Sequence, residues 1–331
     1  MRSPAPAVGL VALALAGCGS GGSSSAVAPT GSGGSARPAA APAAPVHASR
    51  SDPVIAAAGD IACPPGRPVT SSECHQASTA ALLARVRPAA VLPIGDDQYE
   101  TGGLDAFRSA YRPTWGRFDA IVRPVPGNHD YQSDNGTGYY AYYGARAGDP
   151  ARGYYSYDLG AWHLIGLNSN CSVVSCAASS AQVRWLRADL AAHPRRCTLA
   201  YWHHPRFSSG LHGNQQPVAP LWNALYAGGA DLVLNGHDHD YERFGPQTPA
   251  GRADARRGIR EFVVGTGGRS HYPTLIPRAN SQRRNSSTFG VLALTLHRDG
   301  YSWRFVPEAG SRFTDSGTGR CHWAEDGSNA S

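Results

Sequence analysis

Side chains that can bind metal ions follow five short apolar runs of this 331-residue sequence. The runs are residues 54–58, 89–94, 121–126, 198–202 and 232–235. A single aspartate or histidine after a strand is usually a turn former or a satisfied polar group. Five such loops in succession, with carboxylate, amide, phenol and imidazole donors, indicate a metal site instead. The donors are Asp60, Asp96, Tyr99, Asn128, His203, His237 and His239.

Helical patterns separate the apolar runs. Residues 78–86 and 181–190 have helical spacing and stop before prolines, and residues 220–226 form a shorter candidate. Strands that alternate with helices predict an α/β layered domain, and the near-continuous apolar character of the strands predicts sheets covered on both faces. Sites in such folds lie at the carboxyl ends of the strands, where these donors stand.

Three further strands are predicted toward the C-terminus. Residues 262–264 enter the glycine-rich stretch 265–268, and residues 291–296 alternate as a strand does. Residues 301–306 alternate in the same way just after Asp299-Gly300, which is a strong hairpin signal. We expect these segments to form an antiparallel meander that completes a second sheet.

The order and spacing of the donor loops resemble the purple acid phosphatases, a branch of the calcineurin-like metallophosphoesterases. That branch has five blocks: Asp-x-Gly, Gly-Asp-x-x-Tyr, Gly-Asn-His-Asp/Glu, a His before x-Pro, and Gly-His-x-His. This chain departs from the pattern at Ala62 and Ala200, which replace a glycine and a valine, and neither position is a ligand. The matching blocks are Asp60-Ile61-Ala62, Gly95-Asp96-Asp97-Gln98-Tyr99, Gly127-Asn128-His129-Asp130, His203-His204-Pro205 and Gly236-His237-Asp238-His239.

The resemblance implies an α/β fold with two metal ions. The expected architecture is a four-layer α/β/β/α sandwich, in which two mixed sheets are flanked by helices and the metals lie in loops at one edge of the sheets. Asp96 is the expected bridge, because one carboxylate can span two cations about 3.5–4 Å apart. The other implied ligands are Asp60, Tyr99 and His239 for the first metal, and Asn128, His203 and His237 for the second.

Tyr99 separates this branch from its relatives. A phenolate is a hard anionic donor that favours a trivalent ion. The resemblance therefore implies Fe(III) at the first metal and a divalent ion (Zn, Fe or Mn) at the second. The structural alternative is a loop aromatic that only packs on the domain.

The implied reaction is the hydrolysis of phosphate monoesters by metal-bound hydroxide. His129 and His212 are the implied catalytic residues, which bind phosphoryl oxygens and protonate the leaving group. For His212 the alternative is a solvated loop histidine. Two other functions stay open: a phosphodiesterase or nucleotide hydrolase on the same metal centre, and a catalytically silent, surface-binding lipoprotein.

The first fifty residues do not have the composition of a folded domain. Residues 1–17 resemble a lipoprotein signal peptide with Cys18 as the lipidated residue, and a plain secretory signal is the alternative. Residues 18–52 are almost entirely Gly, Ser, Ala, Pro and Thr, which predicts a disordered tether. The catalytic domain is expected at 53–310 and a C-terminal tail at 311–331. Either signal predicts export, to the outer face of the cell membrane on a lipid anchor or as a secreted protein.

Six cysteines remain after Cys18, which predicts three disulfides in an exported protein. Many connectivities are possible from sequence alone. Two pairs bracket short polar stretches, which favours local bridges, and the third pair would pin the tail. No C-x2-C pair is present, so a zinc site made of cysteines is not expected. The expected pairs are Cys63/Cys74, Cys171/Cys176 and Cys197/Cys321.

The formal net charge is +6, and all 30 basic residues are arginines. The arginines are scattered, without clusters or interleaved aromatics, so nucleic acid is not an expected partner. A mild positive field favours phosphate-bearing molecules, although an ordinary solubilising charge is the simpler interpretation. The expected partner is a small phosphate ester, with membrane contact only through the lipid anchor. The oligomeric state stays open.

Overall fold

Two mixed β-sheets form the centre of the fold. The computed structural model describes residues 52–194 and 197–322. The strands are β1 (Val54–Ala58), β2 (Ala90–Pro93), β3 (Tyr155–Leu159), β4 (Trp162–Gly166), β5 (Cys197–Tyr201), β6 (Leu232–Asn235), β7 (Tyr241–Phe244), β8 (Arg260–Val264), β9 (Ser281–Asn285), β10 (Gly290–Leu296), β11 (Gly300–Pro307) and β12 (Ser316–Arg320).

Parallel strands lie at one edge of the five-stranded sheet and in the middle of the seven-stranded sheet. One sheet has the order β12-β11-β10-β1-β2, and the other has the order β3-β4-β5-β6-β8-β7-β9. The pairs β1/β2, β4/β5, β5/β6 and β6/β8 are parallel, and the remaining neighbours are antiparallel. Four of the five loops that carry predicted donors follow β1, β2, β5 and β6 at the carboxyl ends of these parallel strands.

Helices pack on the sheets. The first helix ends at Arg87, which takes a left-handed conformation before Pro88, and it lies against β1 and β10. The fourth helix begins at Ser180, whose hydroxyl oxygen accepts a hydrogen bond from the backbone N–H of Val183. Two sheets with flanking helices confirm the predicted fold class. The helices are α1 (Gln76–Val86), α2 (Leu104–Ala106), α3 (Thr137–Tyr143), α4 (Ala181–Ala192) and α5 (Ala219–Ala227).

The first three residues of β6 are apolar, and their side chains point alternately to the two faces of the sheet. Leu232 and Leu234 belong to the larger hydrophobic core, which also contains residues of β1, β2, β10 and β11. Val233 points to the opposite face and belongs to a second core with residues of α4 and α5. Both faces of this central strand are covered, so these three consecutive positions are apolar.

Three segments differ from the sequence prediction. Residues 121–126 form no regular strand, only isolated bridges at Val122 and Val125, because the intervening prolines cannot donate to a ladder. Residues 262–264 lie in β8, parallel to β6, rather than in the C-terminal meander. Part of the expected tail forms β12, which extends the meander of β10 and β11. Its glycines Gly317 and Gly319 lie against Trp303 and Tyr301, which leave no room for a Cβ atom.

The structure contains the three predicted disulfides, Cys63–Cys74, Cys171–Cys176 and Cys197–Cys321. The last one ties β5 to the end of the described chain. The expected signal peptide, the predicted lipidation site Cys18 and residues 18–51 of the predicted tether lie outside the described residues. In the described ranges, no helix has the length and apolar character needed to cross a membrane.

Candidate metal centre

Tyr99 lies at the centre of a buried group of four side chains. Its hydroxyl oxygen Oη is 2.9 Å from Oδ1 of Asp60, 3.0 Å from Oδ2 of Asp96 and 3.0 Å from Nε2 of His239. Nε2 of His239 is also 3.2 Å from Oδ1 of Asp60. All four side chains are buried. Two carboxylates, a phenol and an imidazole therefore converge on one point, an arrangement suited to a cation.

Asp96 also faces a second group of side chains. Its Oδ2 atom is 3.3 Å from Nε2 of the fully buried His203. This contact lacks hydrogen-bond geometry, so Nε2 of His203 is a buried polar atom without a hydrogen-bond partner in the described residues. Donor atoms of Asp60, Asp96 and His203 all lie within 4.8 Å of one another. One carboxylate oxygen thus stands between the phenol of Tyr99 and the imidazole of His203.

His237 adjoins this second group, and Asn128 lies between Gly127 and His129, both of which contact Asp96. The rings of His203 and His237 are 5.0 Å apart, centroid to centroid. The Oδ1 atom of Asn128 is buried and has no hydrogen-bond partner among the described residues. A buried polar atom without a partner costs free energy. An ion that accepts the lone pairs of Asn128 and His203 would remove that cost, so both residues fit a metal site.

Backbone conformations hold the donors in place. Asp60, Asp96 and His237 have φ angles of 60°, 52° and 71°, in the left-handed region that non-glycine residues rarely adopt. Such conformations persist only where the surroundings enforce them. Gly127 lies so close that a Cβ atom there would collide with the carboxylate of Asp96. The glycine of the Gly-Asn-His-Asp block is therefore a steric requirement of the site.

Each buried carboxylate uses one oxygen as an anchor and turns the other toward the site. Oδ2 of Asp60 accepts a hydrogen bond from the backbone N–H of His237, at 2.8 Å. Oδ1 of Asp96 accepts one from the backbone N–H of His129, also at 2.8 Å. The anchors leave Oδ1 of Asp60 and Oδ2 of Asp96 facing Tyr99.

Two of the imidazoles are oriented by their second nitrogen. Nδ1 of His203 donates to the backbone carbonyl of Ile94 at 2.9 Å, and this directs Nε2 toward Asp96. Nδ1 of His239 is 2.8 Å from the hydroxyl oxygen of Ser270, and this directs Nε2 toward Tyr99. Metal-binding histidines usually have such an outer partner, which fixes the ring.

The electrostatics of the group favour a cation. Burial disfavours the charged form of His203, but the Asp96 carboxylate outweighs burial and raises the pKa of His203 to about 10. Without a metal, a proton on His203 therefore offsets the buried negative charge. Burial, followed by the charges of Asp60 and Asp96, raises the pKa of Tyr99 well above its usual range. Tyr99 is a phenol in the absence of a cation, and its phenolate requires one.

The pKa of His237 is shifted in the opposite direction to that of His203. Burial, followed by the neighbouring His203 and His204, lowers the pKa of His237 well below its usual value. Its imidazole is therefore neutral, with a lone pair available to a metal ion.

A model of the calcineurin-like phosphoesterase family matches residues 53–241, which is more than half of the chain and includes every predicted donor. The chain belongs to this family. The match ends within β7, so β8 to β12 and their loops lie beyond the part that the family model describes.

Curated relatives confirm the resemblance to purple acid phosphatases. Purple acid phosphatase 15 of Arabidopsis thaliana is 29% identical over 204 residues, which cover 50% of this chain and 37% of that protein. Acid phosphatase type 7 of Homo sapiens is 29% identical over 189 residues, which cover 47% of this chain and 41% of that protein. The chain thus spans less than half the length of these members of its family.

Solved structures share the fold. The purple acid phosphatase PPD1 from yellow lupin seeds (Lupinus luteus) superposes with a TM-score of 0.66 at 18% identity, over 82% of this chain and 54% of that one. GAP50 of Plasmodium, described as the anchor in the inner membrane complex, gives a TM-score of 0.56 at 15% identity, over 80% of this chain and 88% of that one. At these identities the likeness concerns the fold of this phosphoesterase family alone.

The two predicted catalytic histidines flank the donor groups of this phosphoesterase domain on different sides. The His129 ring packs against Tyr99 at 4.4 Å between centroids, and its Nε2 is 4.0 Å from Oδ2 of Asp96. The His212 ring stacks on His237 at 4.3 Å between centroids. His212 is exposed at the mouth of the site. Both rings are placed to meet a molecule that enters from solvent.

Asp130 supports the backbone rather than the ring of His129. Its carboxylate accepts hydrogen bonds from the backbone N–H groups of Gly127, at 2.9 Å, and Asp97, at 3.2 Å. Nδ1 of His129 donates instead to the carbonyl of Glu100, at 2.5 Å. Asp130 therefore does not orient the ring of His129.

The sequence analysis does not predict three residues that lie at the site. Tyr272 stacks on His239 at 3.9 Å, Ser270 contacts Nδ1 of His239, and the guanidinium of Arg269 lies 5.2 Å from the ring centroid of Tyr99. All three follow β8, outside the region that matches the phosphoesterase family model. The available signal is the Gly-rich stretch 265–268, which follows a buried strand just as the donor loops do.

Proposed function

We propose that this chain hydrolyses phosphate monoesters at a dinuclear metal centre. The observation that carries the proposal is the position of Asp96, whose Oδ2 lies 3.0 Å from the Tyr99 hydroxyl and 3.3 Å from Nε2 of His203. A single carboxylate that faces two separate donor groups is what a two-metal site requires. The proposed ligands are Asp60, Asp96, Tyr99 and His239 for the first ion, and Asp96, Asn128, His203 and His237 for the second.

The donor chemistry supports different ions in the two positions. The first group offers the carboxylates of Asp60 and Asp96 and the phenol of Tyr99, all of which can be anionic. The second group adds only neutral donors to the shared Asp96. A trivalent ion gains most from several anionic oxygen ligands, so we assign Fe(III) to the first position and a divalent ion (Zn, Fe or Mn) to the second.

The metal ions and the protein side chains contribute different parts of the proposed reaction. When bound, the two ions would lower the pKa of a coordinated water and neutralise charge on the phosphate. The protein holds the donors rigidly through the anchored carboxylates of Asp60 and Asp96. His129 and His212 flank the site, where imidazole N–H groups can bind phosphoryl oxygens. His212 is the better proton donor for the leaving oxygen, because its ring is exposed beside His237.

Export is the second part of the proposal. Three disulfides are typical of proteins that fold in oxidising compartments. We therefore infer that the protein works outside the cytoplasm. Lipidation of Cys18 stays a prediction, and mass spectrometry of the mature N-terminus tests it: a lipid-modified Cys18 supports the anchor, and an unmodified mature form cut elsewhere rejects it.

An assay with chromogenic esters tests the proposed activity. We expect hydrolysis of p-nitrophenyl phosphate to exceed that of bis(p-nitrophenyl) phosphate, and we expect chelation to abolish both. Faster hydrolysis of the diester would assign the chain to phosphodiesterases on the same centre. A metal-loaded protein that hydrolyses neither ester would contradict the proposal and favour a binding role.

A further inference from the structure

A pocket of about 280 Å³ opens beside the proposed second metal position. Asn128 and His204 form the wall that it shares with the metal centre, and the ring of His204 lies 4.5 Å from that of His237. The opposite wall is the loop that contains Ser169, Asn170 and Ser172. The pocket is therefore continuous with the donor set, so an ester whose phosphate lies on the metals can extend into it.

The far wall is fixed before any ligand binds. The side-chain amide of Gln182 accepts the backbone N–H of Asn168 at 2.8 Å and donates to its backbone carbonyl at 2.9 Å, and Oδ1 of Asn168 accepts the backbone N–H of Asn170 at 3.0 Å. Nδ2 of Asn170 donates to the carbonyl of Pro126 at 3.1 Å, which ties this wall to the loop of Asn128. The Cys171–Cys176 disulfide closes the same loop. A preformed wall lowers the entropic cost of binding.

The lining combines polar and apolar surface, and among the described residues it contains no acidic residue and no arginine. Polar side chains come from Asn128, Ser169, Asn170, Ser172, His204 and Gln215. Of these, Ser169 and His204 are paired with each other at 2.8 Å, and Nδ2 of Asn170 is paired with Pro126. A charged group that entered this pocket would lose hydration without gaining a countercharge, which is costly. Hydroxyl groups can exchange water for these side chains at little cost.

The volume of the pocket and its apolar wall suit a ligand with a single small ring or a short chain. Pro217 and Val218 add apolar surface, which suits the C–H face of a carbohydrate. Pockets for drug-sized ligands measure about 300–1,000 Å³, and this pocket lies just below that range. A polynucleotide or a second bulky ester group would exceed it.

We propose that this pocket receives the alcohol part of the substrate, and that this part is an uncharged, hydroxylated group such as a sugar or a polyol. The inference rests on the proposed phosphomonoesterase function and specifies its substrate class. Hydrolysis then releases inorganic phosphate to the metal centre and the free alcohol to the pocket.

Ser172→Trp tests the inference, because Ser172 is exposed at the pocket and a tryptophan there would fill it. The full-length, metal-loaded protein is assayed with glucose 6-phosphate as substrate and inorganic phosphate as competitive inhibitor. Inorganic phosphate has no alcohol part and reports on the metal centre alone. We expect the KM for glucose 6-phosphate to rise about tenfold, the change that follows from losing one or two hydrogen bonds. The Ki of inorganic phosphate should stay within about twofold.

Ser175→Trp is the matched control, since Ser175 is an exposed serine in the same disulfide loop but does not line the pocket. It should change neither constant. Gln215→Leu removes an amide with little change in volume and should raise the KM for glucose 6-phosphate severalfold.

An unchanged KM in Ser172→Trp, or a KM and a phosphate Ki that rise together, would overturn the inference. Wild-type protein that hydrolyses p-nitrophenyl phosphate but not glucose 6-phosphate would overturn it while leaving the proposed function intact. Wild-type protein that hydrolyses neither would contradict both.

Discussion

The two halves of the candidate metal centre are held together in different ways. In the first half, Asp60, Tyr99 and His239 contact one another directly, at 2.9 to 3.2 Å. In the second half, donor atoms of Asn128 and His203 are buried without hydrogen-bond partners in the described residues. The first half is thus assembled through its own hydrogen bonds, and the second half through backbone anchors and ring packing.

This difference predicts how the halves respond to metal. The first half can keep its geometry without an ion, because hydrogen bonds between its donor side chains then hold them together. The second half has polar atoms that only an ion or water can satisfy. We therefore expect the first ion to bind more tightly, with its anionic ligands, and the second ion to exchange more readily.

Asp96→Asn should have the largest effect, because Asp96 belongs to both halves. We expect kcat/KM to fall roughly 10³-fold or more and the metal content to drop below two ions per chain, since loss of outer partners alone already costs 10- to 100-fold in such sites. Asp105→Asn, at a side chain that is 98% exposed, is the control and should behave as wild type. Two bound ions and nearly full activity in Asp96→Asn would show that the halves do not share this carboxylate.

His212→Ala should have the next largest effect, and only on some substrates. His212 stacks on His237 in the second half, whereas His129 packs on Tyr99 in the first. A general acid contributes about 10²–10⁴ in rate, and it matters most when the departing oxygen is basic. We expect His212→Ala to slow hydrolysis of glycerol phosphate far more than that of p-nitrophenyl phosphate.

His129→Ala provides the comparison for the same two substrates. If His129 mainly binds phosphoryl oxygens, its loss should slow both reactions to a similar extent. Equal losses for the two substrates in His212→Ala would mean that His212 is not the proton donor.

Tyr99→Phe should affect only the first half. The change removes the donor oxygen and keeps the buried ring, so the packing against His129 should survive. We expect activity to fall about 10- to 100-fold, less than for Asp96→Asn, because Tyr99 serves one ion and Asp96 serves two. The purified variant should fold and keep the second ion but lose any visible absorption. A visible band that persists in Tyr99→Phe would have to arise from another ligand.

Ser270→Ala should have the smallest effect. It removes the partner of Nδ1 of His239 at 2.8 Å and leaves every proposed ligand in place. Outer partners of this kind typically contribute 10- to 100-fold in metal affinity or activity, and we expect about tenfold in the affinity of the first ion. Ser287→Ala, at an exposed serine, is the control. If Ser270→Ala lowers the affinity of both ions equally, Ser270 contributes to the general stability of the domain rather than to the orientation of His239.

The sequence reveals most of the donor set because most donors follow a recognisable strand, although the apolar run before Asn128 forms no regular strand. Asp60, Asp96 and His237 come at strand ends, where apolar runs stop, and those runs correspond to β1, β2 and β6. Patterns along the chain do not reveal contacts between distant segments. Ser270 and Tyr272 reach His239 only through the pairing of β6 with β8.

The limits of local patterns also explain the errors. Prolines 124 and 126 interrupt a stretch whose apolar residues resemble a strand, and the glycines of β12 hide a strand whose partners are Tyr301 and Trp303. At β12, packing against these two aromatic rings, rather than local propensity, decides the structure.

Metal analysis with a visible spectrum tests the central claim most directly. The purified protein should contain two metal ions per chain, one of them iron, and the concentrated solution should be violet to pink from charge transfer between the Tyr99 phenolate and Fe(III). Brief treatment with a chelator should remove the divalent ion first and leave the colour. A colourless, active protein with two metals and no iron would contradict the assignment of Tyr99 as a phenolate ligand to Fe(III), and a single metal per active chain would contradict the dinuclear centre itself.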